Sequence, residues 1–154
     1  MDIGSGKGYL ASALSNFAPH PFVLDGIQIA SMEGFLQSLK FSNPEMQKHV
    51  CTLVGRVAKA KGRGKNWQRT GKLYWNGQEI DRFSDDYQQL LNRAFEALYT
   101  QNEAARKALL ASGDAVLEHS IGKENPKDTV LTRSEFCSRL MRLRERFRKE
   151  VRLR

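Results

Sequence analysis

Residues that hold metal ions or form disulfide bridges are scarce in this sequence, whose 154 residues include two cysteines and three histidines. His20, His49, His119, Cys51 and Cys137 never approach the spacing of zinc ligands. Both cysteines fall at apolar positions of predicted helices, so buried free thiols are expected rather than a disulfide. The sequence therefore predicts neither a bound metal nor another cofactor.

Long apolar runs are also missing. No run approaches the length that spans a membrane, and the N-terminus lacks the charged-then-apolar pattern of a signal peptide. We therefore expect a cytoplasmic protein with no membrane partner. Internal repeats and low-complexity linkers are absent as well, which favours one domain over residues 1–154, and no pattern specifies an oligomeric state.

Positive charge is abundant: 25 lysines and arginines stand against 17 acidic residues, a net charge of +8. This excess favours an anionic partner, either nucleic acid or a phosphorylated small molecule. The last predicted helix, which opens with a capping box at Thr132 and Glu135, is especially rich in arginine. That helix either follows a nucleic-acid backbone or neutralises acidic groups elsewhere in the protein.

Hydrophobic periodicity and turn signals predict a mostly helical α+β domain with a few short strands and hairpins. Asp25-Gly26 and Asn76-Gly77 are typical of two-residue hairpin turns. Helices are predicted from Ser31, from Asn43 to near Gly62 as one helix, from Ser84, from Ala104 to Ala111 and from Thr132. Residues 115–117 are expected to be a short strand or an extended segment. Because residues 4–8 lack the spacing of a nucleotide-binding loop, they are expected to be a short mobile loop that either borders a pocket or lies apart from it.

The segment 31–41 predicts a helix with two distinct faces. An apolar stripe is formed by Met32, Phe35, Leu36 and Leu39. Glu33, Gln37 and Lys40 recur at helical spacing on another face. Ser31 is a suitable N-cap, which places Glu33 in the first turn, where the helix dipole stabilises a carboxylate. This second face is either an ordinary solvated surface or a reactive one.

Four separated blocks of the sequence resemble the NADAR family, small domains associated with NAD and ADP-ribose chemistry. The blocks are residues 14–17 with 21–22 and 25–26; residues 31–33 with Phe35, Gln37, Lys40 and Phe41; Ala58, Gly62 and Trp67; and residues 109–118. They occur in the family's order. Two departures suggest a subfamily: Gly34 stands where family members often have histidine, and residues 119–123 replace a segment rich in tryptophan and glycine.

The resemblance implies an N-glycosidase that removes ADP-ribose from a modified nucleobase, with guanine in DNA or RNA as the expected base. Its partners would then be an ADP-ribose-containing substrate and nucleic acid. Two alternatives stay open: an N-glycosidase acting on phosphoribosylamino intermediates of riboflavin synthesis, and a non-catalytic module that binds ADP-ribose or nucleic acid. Either reaction builds positive charge on the ribose, which a nearby carboxylate stabilises.

Three residues are candidates for the chemistry. Glu33 is expected to activate water or to stabilise the ribose cation; otherwise it is a surface residue that complements its helix dipole. Asp114 is the second carboxylate, which either grips the ribose or moves a proton, or else caps a turn. Lys40 either forms a Schiff base with the opened sugar or is a solvated or ion-paired lysine.

The remaining candidates are expected to bind substrate. Trp67 either stacks on a base or packs in the core. Arg63 and Lys65, each preceded by a glycine, suit a phosphate path, and Lys123 is a further candidate for a phosphate contact. The predicted binding set is Ser15, Asn16, Phe17, Gln37, Arg63, Lys65, Trp67 and Gly113.

Overall fold

The computed structural model describes residues 1–153, and within them it contains seven helices and two antiparallel strand pairs. The helices are α1 (Tyr9–Ala13), α2 (Met32–Ser38), α3 (Pro44–Cys51), α4 (Gly55–Gly62), α5 (Asp85–Gln101), α6 (Glu103–Ala111) and α7 (Arg133–Arg152). The strands are β1 (Phe22–Leu24), β2 (Ile27–Ile29), β3 (Lys72–Trp75) and β4 (Gln78–Asp81). The predicted class, a mostly helical α+β fold with short hairpins, is confirmed.

Both strand pairs are hairpins built on the predicted turns. Asp25 and Asn76 each have φ of 51°, and the glycine after each also has positive φ. Two successive positive φ values are what a two-residue hairpin with right-handed strand twist requires. β1 pairs with β2 and β3 with β4. The β1 strand lies against α5, so the first hairpin forms one side of the hydrophobic core.

Helix α2 is buried along its whole length between α3 and α4. Its N-cap Ser31 accepts a hydrogen bond from the Gly34 N–H at 3.0 Å and donates one to the Leu53 carbonyl at 3.0 Å. A Cβ on residue 34 would lie 2.5 Å from that same carbonyl. The backbone after α3 therefore passes directly against α2 and leaves no room for a side chain at position 34. This contact explains why the chain has Gly34 where the resemblance to NADAR domains leads one to expect histidine.

The predicted single helix from Asn43 to near Gly62 is wrong: the region forms two helices, α3 and α4. Between them, the carbonyls of Cys51 and Leu53 accept hydrogen bonds from Ala30 and Ser31 at the start of α2. Gly55 then adopts φ of +57°, outside the right-handed helical region. These contacts to α2 break the helix although the apolar periodicity continues across the break.

Residues 115–117, predicted as a short strand or an extended segment, contain no strand. Directly after them, Glu118 makes an isolated parallel bridge with Asp2, in which the Ile3 N–H donates to the Glu118 carbonyl at 2.8 Å. Helix α1, which follows residues 4–8, was not predicted. At five residues it is too short to show a helical period.

Cys51 and Cys137 are buried free thiols, as predicted. Within residues 1–153, no helix is long and apolar enough to cross a membrane. In the same range no group of three or more histidine, cysteine, aspartate or glutamate side chains is arranged to hold a metal ion.

Helix α7 begins with the predicted capping box: the Thr132 hydroxyl accepts from the Glu135 N–H, and the Glu135 carboxylate accepts from the Thr132 N–H. Its arginines mostly neutralise acidic residues. The ion pairs are Arg133–Glu124, Arg146–Glu96, Arg146–Glu150, Arg148–Asp114, Arg148–Glu145 and Arg152–Glu145. The structure therefore supports charge neutralisation, one of the two roles considered for this helix.

Candidate active site

A cavity of about 280 Å³ brings together seven of the residues singled out from the sequence. They are Ser15, Asn16, Phe17, Glu33, Gln37, Lys40 and Lys123. The other walls come from Lys59 of α4 and from parts of two loops, residues 119–123 and 128–131. The volume lies just below the range typical of ligand pockets, roughly 300–1,000 Å³. The cavity is thus close in size to a small-molecule site.

The turn at residues 15–17 is tied to the first turn of α2. The Glu33 N–H donates to the Asn16 carbonyl at 3.0 Å, and the Phe17 N–H donates to the Ser15 hydroxyl at 3.1 Å. The Lys59 ammonium lies 5.9 Å from the centroid of the Phe17 ring, within cation–π range. These contacts align the turn, α2 and α4 around one opening.

Glu33 is the carboxylate inside the cavity, and its exposed fraction is 9%. The Gln37 side-chain amide donates to Glu33 Oε1 at 3.0 Å. Burial raises the pKa of the Glu33 carboxyl, and the Gln37 hydrogen bond and the charges of Lys59 and Lys40 offset only part of that rise. Once ionised, a carboxylate with a raised pKa is a stronger base than an ordinary glutamate.

Three lysines line the same cavity: Lys40, Lys59 and Lys123. Burial lowers the pKa of Lys40, and the positive charges of Lys59 and Lys123 lower it further, while Glu33 acts in the opposite direction. Two acidic residues, Glu33 and Asp128, line the cavity together with the three lysines. The lining therefore carries more positive than negative charge. Such a site favours an anionic ligand.

Gln37 is confined by α4. A Cβ on residue 62 would overlap the Gln37 side-chain oxygen, so Gly62 is what allows the amide to reach Glu33. That oxygen is buried and accepts no hydrogen bond from residues 1–153. An unsatisfied buried acceptor costs about 1–3 kcal/mol, a cost that a donor on a bound ligand would remove.

Replacing Gly62 with alanine should therefore destabilise the protein. Alanine ordinarily stabilises a helix by about 1 kcal/mol relative to glycine, but overpacking a filled space costs about 1–3 kcal/mol. We expect a net loss of unfolding free energy in urea titrations. Gly64→Ala is the matched control, because a Cβ there meets no atom within 4 Å. A Gly62→Ala protein as stable as wild type would contradict this account of Gln37.

The loop at residues 128–131 is anchored to the protein interior by hydrogen bonds from buried polar side chains. The Tyr87 hydroxyl donates to the Val130 carbonyl, and Arg82 Nε donates to the Thr129 carbonyl at 3.0 Å. Arg82 is 1% exposed, and its two terminal nitrogens bind the Glu135 carboxylate at 2.7 and 3.1 Å. Although burial raises the pKa of Glu135, hydrogen bonds led by that from Arg82 hold it below its ordinary value.

Five residues predicted for the site do not line the cavity. They are Asp114, Gly113, Arg63, Lys65 and Trp67. Trp67 is 6% exposed and packs in the hydrophobic core, which is the alternative role considered for it. The Asp114 side chain is 88% exposed and accepts a hydrogen bond from Arg148 at 2.7 Å. Gly113 ends α6 with φ of 60°, and Arg63 and Lys65 are exposed beyond the end of α4.

Several lining residues were not found by sequence reasoning. Asp128 lines the cavity as its second carboxylate, in place of the predicted Asp114. Thr129 and His119 also line the cavity. Asp128 falls in an irregular loop with no periodicity to set it apart from other polar turns. Lys59 was visible as part of a basic segment, but only the tertiary position of α4 brings it to the cavity.

Comparison with known proteins identifies the family. Residues 8–145 match the model of the family described as bacteriophage protein GP30.3. A protein of Enterobacteria phage T4 is 41% identical over 147 residues, which cover 94% of this chain and 97% of that protein. It is described as an uncharacterized 17.1 kDa protein in the Gp30–rIII intergenic region. The chain belongs to the bacteriophage GP30.3 family.

This GP30.3-family protein is also similar in structure to the E. coli protein YbiA, solved by NMR. The TM-score is 0.64 at 24% sequence identity, and the match covers 97% of this chain and 85% of YbiA. The similarity shows a shared fold. The predicted likeness to NADAR domains is thereby confirmed at the level of the fold, as a YbiA-like domain.

Proposed function

We propose that this GP30.3-family protein is an N-glycosidase that removes ADP-ribose from a modified nucleobase, with guanine in DNA or RNA as the expected base. The observation that carries the proposal is one buried carboxylate, Glu33, in a cavity lined by three lysines. The carboxylate suits a reaction that develops positive charge on ribose, and the lysines suit a ligand that carries phosphates. The resemblance to NADAR domains supplies the substrate class.

In the proposed reaction, Glu33 accepts a proton from the water that attacks the anomeric carbon. The C–N bond breaks, its electrons remain on the base nitrogen, and that nitrogen takes up the proton. Gln37 orients Glu33 through Oε1, while Oε2 accepts no hydrogen bond from residues 1–153 and is available to the water. We assign Asp128 to the ribose hydroxyls.

Lys40 has two possible roles in this scheme. As an ammonium group it would bind a phosphate of the substrate, together with Lys59 and Lys123. Its lowered pKa also suits a neutral amine that attacks the ring-opened sugar aldehyde, forming an imine and releasing water. We assign the phosphate-binding role, because Glu33 alone suffices to activate water.

The cavity's small volume favours a rival function, hydrolysis of a phosphoribosylamino metabolite. Parallel incubations with an ADP-ribosylated guanine oligonucleotide and with a phosphoribosylamino pyrimidine distinguish the two, with products followed by mass spectrometry. We expect cleavage of the oligonucleotide at the higher kcat/KM. Preference for the metabolite would replace our substrate assignment, and binding without cleavage of either would leave a non-catalytic module.

The pH dependence of kcat/KM should report the raised pKa of Glu33. Because the ionised carboxylate is the active form, the rate rises with pH, and the midpoint lies above 4.5, the ordinary value. Lys59→Gln should move the midpoint further upward, since the Lys59 charge lowers the Glu33 pKa. Profiles measured from pH 4 to 8 test this. A midpoint at or below 4.5 would show that Glu33 is not the titrating base.

A further inference from the structure

The entire net charge of the chain lies in one segment. Residues 46–78 contain eight lysines and arginines and no aspartate or glutamate, whereas the remaining sequence contains seventeen of each kind. Of those eight, Lys48 and Lys72 form ion pairs with Glu45 and Asp81. The other six are exposed and form no ion pair with residues 1–153. These six, Arg56, Lys59, Lys61, Arg63, Lys65 and Arg69, constitute what we call the basic ridge.

The basic ridge follows α4 and the turn after it, and it meets the cavity at Lys59. Arg56, Lys59 and Arg63 recur at intervals of three and four residues, so they share one face of α4. At 1.5 Å per residue they span about 10 Å along the helix. Lys59 also lines the cavity that contains Glu33. The ridge and the cavity therefore form one continuous surface.

The composition of this surface favours a polyanion over a protein partner. Residues 55–69 expose one large apolar side chain, Val57, whereas protein interfaces are centred on several buried aromatic or aliphatic residues. Four of the eight lysines and arginines on α7 are paired with carboxylates, whereas none of the six residues of the ridge is paired within the described part of the chain. Uncompensated cations of this kind are typical of surfaces that bind phosphate groups along a strand.

We propose that the basic ridge binds the sugar–phosphate backbone of the polynucleotide whose modified base enters the Glu33 cavity. The proposal rests on the function proposed for that cavity, and it assigns the nucleic-acid surface to α4 rather than to α7. Arg63 and Lys65 then keep the phosphate-binding role expected of them, outside the cavity. Lys59 joins the backbone path to the reaction site.

The test measures binding rather than turnover. A labelled, unmodified single-stranded DNA oligonucleotide is titrated by fluorescence anisotropy at several salt concentrations against Arg56→Gln/Lys61→Gln/Arg63→Gln. The matched control is Lys127→Gln/Arg142→Gln/Lys149→Gln, which removes the same charge from exposed residues outside the ridge. Each lost phosphate contact lowers the salt slope by about 0.7, so the ridge variant should lose about 2 in slope and bind about a hundredfold more weakly at 0.1 M salt.

The control variant should bind within about threefold of wild type, because counterion release depends on direct phosphate contacts. Equal weakening of both variants would overturn the proposal, since net charge rather than the ridge would then drive binding. Equally tight binding of wild type to a polyglutamate peptide of the same charge would also overturn it. Since the oligonucleotide carries no ADP-ribose, failure here is distinguishable from failure of the proposed hydrolysis, and thermal unfolding verifies that both variants fold.

Discussion

Replacing Glu33 with glutamine should lower kcat on ADP-ribosylated guanine by about 10²–10⁴-fold, the usual contribution of a positioned general base. The amide fills the same space and keeps one oxygen for the Gln37 hydrogen bond, but it takes no proton from water. Substrate affinity should be retained, because Lys40, Lys59 and Lys123 remain in place. Single-turnover kinetics and equilibrium binding to the same oligonucleotide separate the two effects.

Glu45→Gln is the matched control for this experiment. Glu45 also lies in the first turn of a helix, α3, but its side chain is 86% exposed and does not line the cavity. Its turnover should equal that of wild type. Full turnover in Glu33→Gln would remove Glu33 from the mechanism.

Borohydride added during the reaction should trap no adduct on Lys40, and a trapped adduct would replace water attack by the covalent route.

Replacing Arg82 with methionine should destabilise the protein by about 3–5 kcal/mol. Glu135, whose side chain is 13% exposed, would keep a buried charge without its bidentate partner, and removing one member of a buried pair costs about this much. The Arg82 hydrogen bond to the Thr129 carbonyl would be lost as well. Since that loop lines the cavity, substrate affinity should fall in parallel. Urea unfolding gives the free energy.

Arg93→Met is the control, because Arg93 pairs with Asp25 at a similar 2.8 Å but on the surface. Exposed pairs contribute about 1 kcal/mol or less. The double variant Arg82→Met/Glu135→Gln should recover part of the lost stability, since it leaves no unpaired charge and keeps an oxygen for the Thr132 N–H of the capping box. Equal effects of Arg82→Met and Arg93→Met would contradict the proposed role of the buried pair in holding the loop.

Features of the fold that depend on neighbouring residues in the sequence were predictable. The hairpin turns at Asp25 and Asn76 and the capping box at Thr132 are such features, because a few adjacent residues fix the backbone. The break between α3 and α4 was not predictable. It depends on the hydrogen bond from the Ser31 hydroxyl to the Leu53 carbonyl, a long-range contact with the start of α2, and on the positive φ of Gly55.

In the candidate active site, too, positions set by neighbouring residues were predictable and positions set by long-range contacts were not. Glu33 and Gln37 were predictable as a pair, because helical geometry alone brings side chains at this spacing to one face. Lys40, predicted on the same helix, lies in the turn just after α2, where its N–H donates to the Gln37 carbonyl at 3.2 Å. Asp114 and Trp67 were assigned from a family resemblance, and long-range contacts decide their positions: Asp114 binds Arg148, and Trp67 enters the core. Asp128 reaches the cavity because residues 128–131 are anchored by Arg82 and Tyr87, far away in sequence.

The most direct test of the central claim is incubation of the wild-type protein with a DNA oligonucleotide that carries one ADP-ribosylated guanine. Mass spectrometry of both products identifies the bond that breaks. The account predicts free ADP-ribose together with an oligonucleotide that bears unmodified guanine, because water attacks the anomeric carbon beside Glu33. An unchanged substrate, or an oligonucleotide that keeps a ribose phosphate on the guanine, would contradict it.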